Sequence, residues 1–448
     1  DNIYNSGNYN NGNNDNNVYD SNQNQNINIF NSKSSITIKT NKFSNVTNIE
    51  YDYQLDFKPT YPHIRKNFNC CPKIGLQNIG ATCYMNATLQ CFCHIEKFLD
   101  FFKYSQKVKD ITRNNKNSLT SSFKLLVENL WPNFQTSKKD YAPEEFKNKI
   151  SKMNPLFKGV AANDAKDLVN FIIMTLHEEL NSKTDNTNVT PFNNNMMMQQ
   201  TNQQVMLNNF VQNFQRSNDS MISGLFYGIN CNITQCGFCG TQTYNYQTYF
   251  FIVFPLEEIR RFKINNLNNN YNNFQMNQFN FYNNQINYNN INEVSLWDCF
   301  DYDCKINEMS GTNSMYCNYC KRTFTSKMRT VLTTGPRILI LLLNRGKGIE
   351  FNVKINFTDQ LNISKYLQFN KQGFLYQLIG VITHIGESGM GGHFIAYCRD
   401  PITRQWNKYN DSIVTMVNNF QSEVINFAMP YLLFYQQIGK SKIGRASC

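Results

Sequence analysis

Charge is scarce in this 448-residue chain: Asp, Glu, Lys and Arg together make up 17% of it. The balance is basic, a formal +11, yet no dense Lys/Arg run carries it. Nucleic acids and acidic membranes are read by clustered cations, so this diffuse excess argues against both as partners. Long apolar runs are also missing. The longest strongly apolar one, Ile338 to Leu343, is bounded by Arg337 and Asn344. It is far too short to span a bilayer and suits a buried strand. No secretory signal is visible, although the chain opens on Asp1 and a targeting segment could have been removed. Acidic residues are absent from residues 265–292, where 15 of 28 residues are Asn, and Asn takes 13 of the first 30 positions. Segments with so few aliphatics cannot bury enough apolar surface to offset the entropy of ordering them. Residues 1–69 are therefore expected to be a disordered tail. Residues 182–216 (with Met196-Met-Met198) and 263–292 are expected to be low-complexity insertions, and 438–448 a short basic tail.

What the chain does have is cysteine, 14 in all. The most informative stretch is Gly75-Leu-Gln-Asn-Ile-Gly-Ala-Thr-Cys-Tyr-Met-Asn-Ala-Thr-Leu-Gln90. It places Cys83 where a glycine-bearing loop ends and a helix begins, with Thr82 as N-cap. Met85, Leu89, Phe92, Ile95, Leu99 and Phe102 carry the apolar spacing onward. A helix N-terminus favours thiolate, the nucleophilic form. Asn78 can aim an amide N–H at the same point, which is the chemistry of an oxyanion donor. A second helical stripe, Ala165, Leu168, Val169, Ile172, Leu176 and Leu180, follows Asn163-Asp164. On it His177, beside Glu178 and Glu179, reads as a surface or boundary histidine.

Two Cys-x-x-Cys pairs, Cys236/Cys239 and Cys317/Cys320, form a metal constellation. Each knuckle presents two thiolates, and two knuckles complete a tetrahedral sulfur set, the preference of zinc. Four protein ligands leave no open position, so the ion is structural and no catalytic cofactor is expected. In a long chain without a visible signal, this usage favours free thiols in a reducing compartment, cytoplasmic or nuclear. Cys70, Cys71, Cys231, Cys299 and Cys304 lack knuckle spacing and read as ordinary thiols. Strands over 329–332, 337–343, 377–384, 393–399 and 406–409 indicate an antiparallel sheet. One opens at His393, after the Gly-rich loop 386–392. A histidine there can act as general base toward a thiol. Asn410 or Asp411, just downstream, can orient its ring, and Asn suffices where the pair is already ionised.

The Cys83 stretch resembles the cysteine box of the ubiquitin-specific proteases and matches every fixed position of it. The other blocks follow in order. Asn163-Asp-Ala-Lys-Asp-Leu168 is similar to the family's second block, with Asn163 for Gln, Asp167 for Glu and Leu168 for Phe. Gly392-His-Phe394 is similar to its Gly-His-Tyr, with Phe394 for Tyr. The resemblance covers residues 74–436. It implies an α+β fold of the papain-like kind: a helical thumb with Cys83, an antiparallel palm with His393, and zinc-ribbon fingers over 223–335, all within a catalytic domain of 70–437. It implies a thiol protease that cuts (iso)peptide bonds after the C-terminal glycine of ubiquitin, with ubiquitin and ubiquitinated proteins as partners. It also implies that Asp164 and His384 contact the substrate's tail. A protease for another ubiquitin-like modifier and an inactive ubiquitin-binding scaffold are the alternatives.

Overall fold

The computed structural model describes residues 36–38, 64–133, 136–183, 203–275, 292–346, 352–369, 374–386, 391–426 and 429–438. At its centre is Cys83–Cys93 (α1), in which every residue is buried. A helix covered on all sides must satisfy its polar side chains inside the protein. Thr88 Oγ1 donates to Tyr84 O at 2.8 Å and Gln90 Nε2 to Ile74 O at 3.0 Å. Glu96–Tyr104 (α2), Gln106–Asn114 (α3), Leu119–Leu130 (α4), Glu144–Met153 (α5) and Ala165–Leu180 (α6) complete the helical layer. Phe92, Phe98, Phe102 and Phe123 interlock within it, their ring centroids 4.8–6.4 Å apart. Phe92 also meets Phe434 of the sheet below at 6.0 Å, so one core serves both layers.

Two larger sheets divide the strands. The fingers sheet takes Ile36–Ile38 (β1), Gly228–Cys236 (β2), Gln242–Tyr249 (β3), Asn307–Met309 (β5) and Ser326–Thr334 (β6), in the order β1-β3-β2-β6-β5. The palm takes Ile252–Pro255 (β4), Ile338–Asn344 (β7), Gln360–Asn362 (β8), Leu375–Ile385 (β9), His393–Arg399 (β10), Trp406–Asn410 (β11), Ile413–Met416 (β12) and Pro430–Ile438 (β13). Its order is β12-β11-β10-β9-β13-β7-β4, with β8 on β9. The expected antiparallel palm has one exception, the parallel pair β7–β4. Residues 256–337, which include β5 and β6 of the fingers, lie between those strands and make the long crossover that parallel pairing needs.

Several sequence expectations are corrected here. Within the 1–69 tail, β1 pairs with β3, and a 3-10 turn at Ile64–Lys66 is tied by Ile64 N–H to Asp100 Oδ1 at 2.5 Å. The 182–216 insertion contains Gln203–Ser217 (α7), whose Met206, Leu207, Val211 and Phe214 are buried. Met206, Leu207 and Val211 pack on Ile229, Cys231, Ile233, Tyr244 and Tyr246 of the fingers. The 263–292 insertion starts inside Leu256–Gln275 (α9), and α7 and α9 are separated by Met221–Phe226 (α8). The 223–335 fingers region also holds β4, α9 and Leu296–Asp303 (α10), which pack with the palm rather than the fingers sheet. His177 is buried, with Nδ1 2.7 Å from Ser220 Oγ and Nε2 2.9 Å from Asn218 Oδ1. The rest of the Asn-rich tracts, Met196–Met198 and the tail past residue 438 lie outside the described residues.

Candidate active site

Helix α1 starts at Cys83 and packs against β9, β10 and β11, so the cysteine box and the histidine strand share one interface. Thr82 is the N-cap residue by position, but its hydroxyl makes no capping bond. It accepts instead from Ile79 N–H at 3.0 Å and donates to Asn78 Oδ1 at 3.3 Å. Asn78 Oδ1 takes Thr82 N–H as well, at 3.0 Å, and holds the loop through Gly80 and Ala81, both at positive φ. The Cys83 thiol is pushed up by burial and by the charge of Asp411, against hydrogen bonds from the backbone at Phe394, Tyr84 and Cys83 that pull it down. The backbone groups at the helix start pull toward thiolate, as the sequence implies, while burial and Asp411 pull toward the thiol. Cys83 needs a proton acceptor.

The backbone of Phe394 next to Cys83 places His393 beside α1. Gly392 just before it has φ +151°, and a Cβ there would stand 2.5 Å from both His384 Cε1 and Ile385 O. Only glycine lets the chain enter β10 at that point. His393 Nε2 lies 2.6 Å from Asn410 Oδ1, while Asp411 Oδ2 is 3.9 Å away. Asn410 is thus the ring's hydrogen-bond partner.

Asp411 faces the other way, toward the cysteine box. Its Oδ1 accepts from Asn86 Nδ2 at 2.8 Å and its Oδ2 from Asn78 Nδ2 at 3.0 Å. Its carbonyl accepts from Leu76 N–H at 2.9 Å, and its own φ is +50°. Gly75 fits so closely under this turn that a Cβ would meet Ser412 O at 2.4 Å. Asn86 also donates to Leu76 O and Gln77 O, at 3.2 and 3.1 Å. Asp411 thereby fastens the loop before Cys83 to the strand after His393. Sequence reasoning did not single out Asn86, although it stands in the same box, three residues after the cysteine.

Asp164 caps α6 through Lys166 N–H at 2.9 Å and accepts the Tyr431 hydroxyl on both oxygens, at 2.8 and 2.7 Å. The Phe394 ring sits between Tyr431 and His384, with centroids 5.7 and 4.8 Å away. Burial holds His384 below its usual value, while Asp164 pulls it up and Arg345 and His393 press it down. Asp164 and His384 therefore lie at the two ends of one row, Asp164–Tyr431–Phe394–His384, whose Phe394 directly follows His393.

Cys71, which the sequence presents as an ordinary thiol, lies in a second grouping with His94 and Asp400. Cys71 Sγ is 3.2 Å from His94 Nε2, and His94 Nδ1 is 2.7 Å from Gln90 O. Asp400 does not touch the ring in this network; it accepts the backbone N–H groups of Cys71, Ile402 and Thr403. All three side chains are buried. Burial drives the thiol well up and the imidazole down to about 4, so the pair stays neutral.

At the far end of the fingers, Cys236, Cys239, Cys317 and Cys320 bring four Sγ atoms within 4.8 Å of one another. Cys239 and Cys317 Sγ are 3.7 Å apart, close to the roughly 3.8 Å edge of a tetrahedron with about 2.3 Å metal–sulfur bonds. Cys320 N–H points at Cys317 Sγ at 3.5 Å, as in a ligating knuckle. The group can hold one metal ion.

Comparison with known proteins gives the family and the fold. Ubiquitin carboxyl-terminal hydrolase 2 of Rattus norvegicus is 26% identical over 376 residues, covering 81% of this chain and 53% of its own length. The Homo sapiens protein of that name gives 26% over 376 residues, 81% and 54%. The chain thus spans about half the length of these relatives. Among solved structures, the SAGA Ubp8/Sgf11/Sus1/Sgf73 DUB module bound to ubiquitin aldehyde shares the fold, with a TM-score of 0.56, 19% identity, and 86% of this chain and 72% of that chain covered. The family description "Ubiquitin carboxyl-terminal hydrolase" matches residues 74–435, and the chain belongs to that family.

Proposed function

We propose that the chain is a thiol-dependent deubiquitinase that hydrolyses the amide or isopeptide bond after the C-terminal glycine of ubiquitin. The observation that carries this reading is the 2.6 Å contact of Asn410 Oδ1 with His393 Nε2, on a strand whose next backbone group reaches Cys83. Asn410 Oδ1 accepts a hydrogen bond from Nε2–H, which leaves Nδ1 as the ring's base. His393 takes the Cys83 proton as Sγ attacks the carbonyl carbon, then passes it to the departing amine, leaving a thioester on Cys83. Water, deprotonated by His393, then releases the carboxylate and regenerates the thiol.

The oxyanion is stabilised by backbone N–H groups at the start of α1 and by the second amide hydrogen of Asn78, the first being held by Asp411. Asp164 and His384 border the channel for the basic, glycine-ended tail. The four-cysteine group holds one structural zinc ion, which ties the finger strands together and takes no part in the chemistry. Ubiquitin and ubiquitinated proteins are the partners, in the cytoplasm or nucleus. The test is hydrolysis of ubiquitin C-terminal fluorogenic amide beside the same amide of other ubiquitin-like modifiers. Turnover of ubiquitin with loss in Cys83→Ala supports the reading. Turnover of another modifier alone would move the substrate, and none with metal-loaded, folded protein would leave a binding scaffold.

A further inference from the structure

The tip of the fingers exposes aromatic surface. Phe238, inside the first knuckle, is 75% exposed, and Tyr316 and Tyr319, flanking Cys317, are 58% and 51% exposed. Phe324, on a short strand paired with Met315–Cys317, lies flat on Phe238, with centroids 4.8 Å apart and ring planes within 8°. None of the four belongs to the fingers core, which closes lower down over α7. An exposed phenylalanine forgoes roughly 2 kcal/mol of burial.

The charge on the segments that carry this patch is basic. Residues 310–334 contain Lys321, Arg322, Lys327 and Arg329 and no acid, and residues 228–249 contain no charged residue. All four cations are exposed. The nearest acid in the sheet is Glu308, in register opposite Lys327. An aromatic centre with an arginine- and lysine-bearing rim has the anatomy of a protein interface, and its complement is acidic. Nucleic acid is the weaker fit, because one of only four cations faces that carboxylate and a phosphate backbone needs a row of them. The tip is also remote from the chemistry. Strand β2 runs from Gly228, paired with Tyr249 of the palm core, to Cys236, a span of about 26 Å at roughly 3.3 Å per residue.

We propose that the fingertip docks an acidic protein segment with an aromatic or aliphatic anchor, supplied by a partner distinct from the protein being cleaved. Phe238 and Phe324 receive the anchor, and Lys321 and Arg322 face its carboxylates.

The test pans a random 12-residue peptide library on the full, zinc-loaded chain and, in parallel, on Phe238→Ser/Arg322→Glu. The selected peptide, its charge-reversed copy and a 15-nucleotide oligo(dT) are then titrated by fluorescence anisotropy. Asp/Glu-rich peptides with a Leu, Phe or Trp anchor are expected, bound at least tenfold more weakly by the double variant and lost at high salt. Hydrolysis of the ubiquitin amide by the variant should stay within twofold of the parent. Lys321→Glu, a fully surface change, repeats the measurement should the double variant lose zinc or unfold. The proposal is overturned if no consensus emerges, if the consensus is basic, if oligo(dT) binds more tightly than the peptide, or if the variants slow cleavage as a substrate contact would.

Discussion

Among the described residues two cysteine–histidine pairs invite comparison, and the one in direct contact is buried. Cys71 and His94 are 3.2 Å apart, yet both are sealed in the core, with the imidazole spent on Gln90 O and Tyr409. The network is neutral and fully bonded, which makes it a brace between the segment before α1, α1 itself and β11. Cys83, itself buried, meets instead an imidazole that is not sealed in, with the His393 side chain 37% exposed and one ring nitrogen held by Asn410. A thiol beside an imidazole is therefore not enough for nucleophilic chemistry. The pair must also be reachable, and the ring must keep a nitrogen free for the proton.

Substitutions sharpen that contrast. Cys83→Ala should abolish turnover, a loss of about 10⁴-fold or more, whereas Cys71→Ser should keep kcat and lose roughly 1–3 kcal/mol of stability as a bonded buried group is perturbed. If Cys71→Ser were the inactive one, the two roles would be exchanged. Asn410→Ala should lower kcat by roughly 10²-fold, the low end of what a positioned general base such as His393 contributes, because the ring loses the partner that orients it. Asp411→Ala and Asn86→Ala should act alike and be less than additive, because both open the same clamp. A double-mutant cycle on kcat/KM showing full additivity would remove that clamp from the account.

Acid should find the buried pair first. His94 binds its proton only near pH 4 in the folded chain, against 6.5 when unfolded. The unfolded state therefore takes up more protons between those values, and stability falls as pH drops from 6.5 toward 4, by about 3 kcal/mol at most for this one group. His177, also held down by burial, adds in the same direction. Melting temperatures of His94→Gln should be flatter over that window than those of the parent; parallel curves would contradict the burial argument. The smallest effect on chemistry should come from the fingers. Chelation of the metal should lower the melting temperature while the Cys83 alkylation rate of still-folded protein changes little.

The order of motifs made Cys83 and His393, the proposed catalytic pair, legible in the sequence, because each sits where a turn meets an element, and such positions are written in local residues. The same holds for the two knuckles. What could not be read was pairing at a distance. Asn86 and Asp411 are 325 positions apart, and nothing local says that one amide closes on one carboxylate. Cys71 gained its partner only when α1 folded against β11. The α7 helix was hidden for another reason. Its Met206, Leu207, Val211 and Phe214 stripe has helical spacing, but the surrounding Asn and Gln lowered the average hydrophobicity until composition outweighed period.

The most direct test of the central claim is to label the protein with ubiquitin bearing a C-terminal electrophile and to map the adduct by peptide mass. The account predicts one ubiquitin per chain, on Cys83, lost in Cys83→Ala and slowed in Asn410→Ala, with Cys71 unmodified. Labelling of Cys71, or an adduct that survives Cys83→Ala, would contradict it.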